Sequence, residues 1–197
     1  MTAAPVDSAS VGDAARFLSL EALERGLAAL GRAPAAEGRV ALVVSRREGG
    51  RREILAGAPF SPQGGVPGDA WARHAERNPE QQIAVMQADV AALIANGQPL
   101  TLFGDNLFLE LDLSAASLPT GSRVQVGRAL LEVTPHPHNG CGKFQARFGN
   151  AALRFVGARE RRHRNLRGIY MRVVEPGDVA AGDAARVVSR PAAQRPA

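Results

Sequence analysis

Arg123–Thr134 reads RVQVGRALLEVT. Val124 and Val126 alternate with Arg123 and Gln125, and Ala129–Thr134 resumes the alternation after Gly127–Arg128. A two-residue connection carrying glycine between alternating runs predicts a tight β-hairpin. Outward from it, Ile169–Val174 and Ala185–Ser189 predict closing strands, parted by the turn signals Pro176–Gly177 and Gly182–Asp183. Upstream, Leu107–Leu111 is apolar and Gln82–Met86 predicts a further strand. Val40–Ser45 (VALVVS) is β-branched enough to be buried, with Arg51–Leu55 (RREIL) as its hairpin partner across Glu48–Gly50. Many short strands joined by Gly/Pro turns predict a mainly β (α+β) fold, a barrel or sandwich, rather than a parallel α/β sheet.

Helical signals are few. Leu20, Leu23, Leu27 and Leu30 share one helical face, with Ser19 placed as N-cap and Gly31 as a left-handed stop. Asp89–Ala95 predicts a short helix ended by Gly97, and Phe144, Phe148 and Phe155 approximate a helical stripe. Ala58–His74 (APFSPQGGVPGDAWARH) predicts a shaped loop. Residues 1–9 and 190–197 read as frayed tails.

With 197 residues, 45% of them hydrophobic and 22% charged, the chain has the composition of one globular domain. The single cysteine, Cys141, excludes an internal disulfide, CxxC redox chemistry and any zinc site needing two thiolates. No apolar run approaches the roughly 18 residues of a membrane span. Asp7, Asp13, Arg16 and Glu21 interrupt anything resembling a signal peptide, so a cytoplasmic protein is expected. The net charge is +5, and residues 143–172 alone carry nine basic side chains against Glu160, which leaves the rest of the chain at −3. A localised positive field suits an anionic ligand. Aromatics are only 5%, a poor supply for stacking single strands, which argues against nucleic acid as the partner.

Thr134–Gly149 (TPHPHNGCGKFQARFG) gathers the rare residue types: two of the four histidines, the cysteine and the only lysine, Lys143. Glycines on both sides open Cys141 to a large ligand, and Lys143 and Arg147 favour its thiolate. A thiolate is a soft metal ligand and a nucleophile, and it can carry a persulfide. A lone cysteine also serves as a small buried hydrophobe, but Asn139, Gly140, Gly142 and Lys143 are not the neighbours of a core position. His136 and His138, two apart, face the same way in extended chain. With Cys141 they form a candidate zinc or copper set, although Pro135 and Pro137 suit a rigid loop equally. Gly68–Asp69 and Gly104–Asp105–Asn106 place carboxylates after glycines, either to orient a polar ligand or to make turns. A pyridoxal phosphate Schiff base would have to use Lys143.

Four stretches, GDNLFLELDL (104–113), LPTGSRVQVGRALLEVT (118–134), HNGC-GKF-ARFG within 138–149 and RGIYMRVVEPGDVAAGD (167–183), resemble a MOSC domain, the type named for the C-terminal part of molybdenum cofactor sulfurases. VALVVSRREGG and GVPGDAW resemble its N-terminal strands and Gly-Asp loop. The resemblance spans residues 38–188, leaving 1–37 as a tail and packing helix and 189–197 as a disordered tail. It implies a β-barrel with peripheral helices that binds the molybdenum cofactor (Mo-molybdopterin). Some relatives use that cofactor to reduce N-hydroxylated compounds; others carry sulfur. The resemblance puts Cys141 at the metal or as a persulfide carrier. Lys143, Arg147 and arginines of 159–167, Arg167 among them, would hold phosphate. Asp105, Asn106 and His138 would line the pocket. Electrons or sulfur would come from a separate reductase or sulfur donor, since no flavin, iron–sulfur or aminotransferase-like segment is present. A third reading keeps the barrel as an interaction or sensor module without cofactor. The chain departs from the family's proline–cysteine pair in having Gly140 before Cys141.

Overall fold

The computed structural model describes residues 11–191; the expected tail at 1–9 and residues 192–197 lie outside them. Ten strands and four α-helices are described: β1 Glu37–Arg46, β2 Arg52–Leu55, β3 Gly57–Phe60, β4 Ile83–Gln87, β5 Leu107–Leu109, β6 Arg123–Val126, β7 Ala129–Val133, β8 Ile169–Glu175, β9 Gly177–Ala180 and β10 Ala184–Ser189, with α1 Leu20–Ala29, α2 Ala70–Arg73, α3 Ala88–Ala95 and α4 Gly142–Gly157. The hairpin forms as expected. β6 and β7 pair from Val126↔Ala129 to Arg123↔Glu132, and Gly127 takes a φ of 54° at the turn.

The strand order is β10-β6-β7-β8-β4-β5-β1-β2, and β10 also pairs with β1. Seven strands therefore close into a barrel, and the closure leaves no open edge between β1 and β10. β1 is long enough to serve three neighbours. Its start pairs with β10, its middle with β5 and its end with β2, so its last residues leave the barrel wall as a two-stranded arm. All barrel pairings are antiparallel except β4–β5. A parallel neighbour needs a long crossover, and α3 with the 3-10 turn Leu100–Phe103 supplies it.

Two apolar clusters hold the fold. Inward residues such as Val43, Val85, Leu107, Leu131 and Met171 fill the barrel. Outside it, α1, α3 and α4 pack Leu23, Ile94, Phe148 and Phe155 against Val44, Met86 and Phe108 of the wall. Leu23 and Leu27 of α1 are buried, and the Ser19 hydroxyl accepts from the Ala22 N–H. We expect Ser19→Ala to remove that cap at a cost of about 1 kcal/mol. A thermal melt will show it as a fall of about 2–4 °C.

Four details depart from the sequence reading. Gly31 is not left-handed: Leu30 leaves α1 in extended conformation at φ −62°, so no glycine is needed to end it. The expected loop 58–74 contains β3 and the short α2, because Gly57–Phe60 finds a partner in β9, which itself grows from the expected turn at Pro176–Gly177. The phenylalanine stripe does not lie on one straight helix, since α4 breaks at Gly149 (φ 87°, ψ 165°). A Cβ built on Gly140 would lie 3.4 Å from the Val156 side chain, so the second leg of α4 folds back beside the Cys141 loop. Finally Arg190, read as tail, donates to the carbonyls of Ser117 and Ala35.

Candidate functional site

One end of the barrel collects the end of β1, the start of β2, the lead into β5, the loop after β7 and the lead into β8. The register brings Arg46 and Arg52 directly opposite each other on β1 and β2. Asn106, just before β5, ties the wall together. It donates to the Val44 carbonyl at 3.2 Å and to Asp69 at 2.8 Å, and its Oδ1 accepts from the Ala84 N–H. Every polar atom of Asn106 is engaged within the protein, so it shapes the site by aiming Asp69.

Asp69 is 1% exposed and caps α2 through the Trp71 N–H. It accepts the Arg46 guanidinium on both oxygens, the closest approach being 2.6 Å from Nη2 to Oδ1, together with the Arg46 N–H. Burial raises the Asp69 carboxyl, but the hydrogen bonds and charge of Arg46 and the backbone N–H groups outweigh it and hold it below the usual range. The loop of Gly-Asp type therefore makes both a turn and a buried ion pair.

Asp105 is the second buried carboxylate. Arg167 Nη1 reaches its oxygens at 2.9 and 3.1 Å, and His138 Nε2 lies 3.5 Å from Oδ1. Complete burial holds the Asp105 carboxyl above its usual range despite the charges of Arg167, Arg46 and Arg52. The His138 ring packs on Tyr170 with centroids 4.3 Å apart, and its Nδ1 is buried without a partner. Burial first, then Arg167 and Arg46, push the imidazole well below its ordinary range. Tyr170 is raised by burial and by Asp105. Arg167 also lies over the Phe144 ring at 5.2 Å.

The sequence-predicted residues fall in four places. Asp105, His138 and Arg167 come together, and buried Arg147 joins them, its side chain 3.6 Å from the Cβ position of Gly104 while Nη1 donates to the Leu102 carbonyl. Cys141 is exposed, at the N-cap of α4, so it is not a buried hydrophobe. Lys143 lines a cavity of about 440 Å³ with Arg46, Arg47, Arg52 and Arg73, where Glu48 is the one acid. The arginines of 159–164 are elsewhere, on an exposed 3-10 turn, with Arg161 paired to Glu24 and Glu160.

The candidate zinc or copper set does not form. His136 Nε2 is 2.8 Å from Gln81 Nε2 and His138 faces Asp105; among the described residues no three His, Cys, Asp or Glu side chains could hold a metal ion. Sequence reasoning missed Arg46, Arg47, Arg52 and Arg73. In a chain with 24 basic residues, residues 46–53 set four arginines against Glu48 and Glu53, a net of +2 that is small beside the +8 of residues 143–172, and Arg73 lies apart from them in sequence. Only the β1–β2 register and α2 bring them together. Nor is any helix among the described residues long and apolar enough to cross a membrane.

No curated protein matches the chain. Solved structures do. The YuaD protein from Bacillus subtilis aligns over 77% of this chain and 95% of its own, at 20% identity and a TM-score of 0.56. YiiM from Escherichia coli aligns over 77% and 70%, at 21% identity and 0.51. YiiM from Geobacillus stearothermophilus aligns over 79% and 75%, at 18% identity and 0.51. These likenesses concern the fold. The family model described as the MOSC domain matches residues 72–186, which include β4 to β8, the Asp105–His138–Arg167 cluster, Cys141 and Lys143. With more than half its length matched, the chain belongs to the MOSC domain family.

Proposed function

We propose that this chain binds the molybdenum cofactor through the cationic cavity and Cys141, and that the loaded protein reduces N-hydroxylated compounds. The observation that carries the reading is the cavity itself. Five cations from β1 and the residue after it, β2, α2 and the first turn of α4 surround a space of about 440 Å³, two residues along the chain from an exposed thiol. Arg46 and Arg47 are already answered by Asp69 and Glu53, yet the lining as a whole sets five cations against the single acid Glu48, and a phosphate is the anion that arginine forks match best. Gly142, next to the thiol, has open space where a side chain would be, so a bulky group has room to approach.

The residues present fit the group. Arg46, Arg47, Arg52, Arg73 and Lys143 would hold its phosphate, and Cys141 would supply a soft ligand to the metal. The bound cofactor would supply the two-electron chemistry that removes oxygen from an N–O bond. The protein's own part is orientation and charge. Asp69 fixes the Arg46 fork, Asp105 fixes Arg167, and α1 with the return leg of α4 covers the apolar flank. The electrons would come from a separate reductase.

A carrier reading draws on the same thiol. An exposed Cys141 with no side-chain cap bond is accessible to a sulfur donor and could hold a persulfide. The deciding measurement is molybdenum and pterin content after expression in a cofactor-competent host with molybdate. We expect near-stoichiometric content in the wild type and at least a tenfold loss in Cys141→Ser, with reduction of N-hydroxylated substrates following the content. Equal emptiness of both folded proteins would overturn the cofactor reading. Sulfane sulfur on Cys141 in that case would support the carrier.

A further inference from the structure

The buried cluster at the barrel end contains four arginines against two carboxylates, and one histidine whose burial opposes its protonation. Arg46, Arg52, Arg147 and Arg167 stand around Asp69 and Asp105. His138, with its side chain 5% exposed, is held between Asp105 and Tyr170, and its Nδ1 has no partner. The groups that face it are Asp105 before β5, Arg167 and Tyr170 at the head of β8, Arg46 at the end of β1 and His136 on its own loop. Around Asp105 stand Arg167, Arg46 and Arg52. Two of these arginines, Arg46 and Arg52, also line the cationic cavity. The cavity and the His138–Asp105 pair therefore share their sources of positive potential.

We propose that seating an anion among the cavity arginines draws one proton onto the His138–Asp105 pair, so that a phosphate-bearing ligand is bound together with a proton held near Cys141. The physical cause is direct. A dianion beside Arg46 and Arg52 cancels part of the field that opposes an imidazolium at His138, and Asp105 at 3.5 Å is placed to accept its Nε2–H. Proton and anion then favour each other equally, as linkage requires. The inference rests on the proposed function for its purpose. Reducing an N–OH group to N–H and water consumes two electrons from the separate reductase and two protons. His138 can release one of them as its imidazolium returns to the neutral base, with solvent restoring it.

The test needs neither cofactor nor turnover. Sulfate, a dianion at every working pH, is titrated into the full chain while the histidine imidazoles are followed by nitrogen-detected NMR between pH 4 and 8. His74 and His163, outside the cluster, serve as references. We expect saturating sulfate to raise the His138 midpoint by a unit or more, a tenfold gain in protonation at a given pH. Sulfate should bind correspondingly tighter as pH falls through that interval, and the pH dependence should vanish in His138→Gln. A His138 midpoint that sulfate leaves in place, or sulfate binding that does not depend on pH, overturns the proposal. Absence of sulfate binding at the cavity overturns it as well. None of these results is a molybdenum measurement. The proton coupling can fail while cofactor content remains high, and it can hold in a protein that carries no molybdenum.

Discussion

Asp69→Asn will unfold roughly 6–12 °C below the wild type, a loss of about 3 kcal/mol. The substitution keeps the shape and one acceptor oxygen but leaves Arg46 without its counter-charge. Arg46 is a quarter exposed while Asp69 is buried, so the cost falls at the low end of that for breaking a buried pair. Asn106 adds to it by losing an ionised acceptor at 2.8 Å. The pH dependence has a definite sign. The Asp69 carboxyl lies below its ordinary value in the fold, so its contribution is present above the usual carboxylate range and is lost as pH falls through the folded-state value. The wild type and Asp69→Asn will therefore converge in stability under acid, as melts from pH 7 down to 3 will show. Asp105 carries the opposite sign. Raised in the fold, it favours the folded state at low pH and loses that advantage as pH climbs through its folded value. A midpoint for Asp69→Asn equal to the wild type at pH 7 would show that Arg46 is held by other means.

Gly168→Ala will be nearly as damaging, by about 2–4 kcal/mol. Gly168 has a φ of 98°, where an alanine is strained whatever the space. Its Cβ would also press on the Val85 carbonyl of the barrel wall and stand 3.2 Å from His138 Nδ1. The residue before it is Arg167, so the adjustment that relieves the clash moves the guanidinium off Asp105. Gly142→Ala is the matched control, since Gly142 lies in the helical first turn of α4 with open space around it. Denaturant unfolding of the two variants should separate them by at least 2 kcal/mol. Equal stabilities would mean that residue 168 leaves its positive φ and that the wall at Val85 yields.

Much of the barrel was legible because strand alternation and turn chemistry are local. The β6–β7 hairpin, the β1–β2 hairpin and the strand β4 follow from residues that are neighbours in sequence. What was not legible depended on partners far along the chain. Gly57–Phe60 becomes a strand only because β9 lies beside it, and Arg46 and Arg52 become a site only when Asp69 and Asn106 arrive between strands. Lys143, Asp105 and His138 could be singled out because they sit in rare or unusual local sequence, whereas Arg167 stood out only within the basic run 143–172 and through the family resemblance. The cavity arginines could not, because arginine is the common basic residue of this chain and its burial cannot be read from charge.

The break in α4 at Gly149 has a mechanical consequence. The gap it leaves is stoppered from the N-terminal side, with Phe17 against Gly149 and the Gly12 N–H donating to the Ala146 carbonyl. Those contacts come from residues that precede the stretch matched by the family model. The chain thus fastens its thiol-bearing loop with a strap from outside the barrel, and the play allowed to Cys141 depends on how tightly residues 12–17 hold the helix hinge shut.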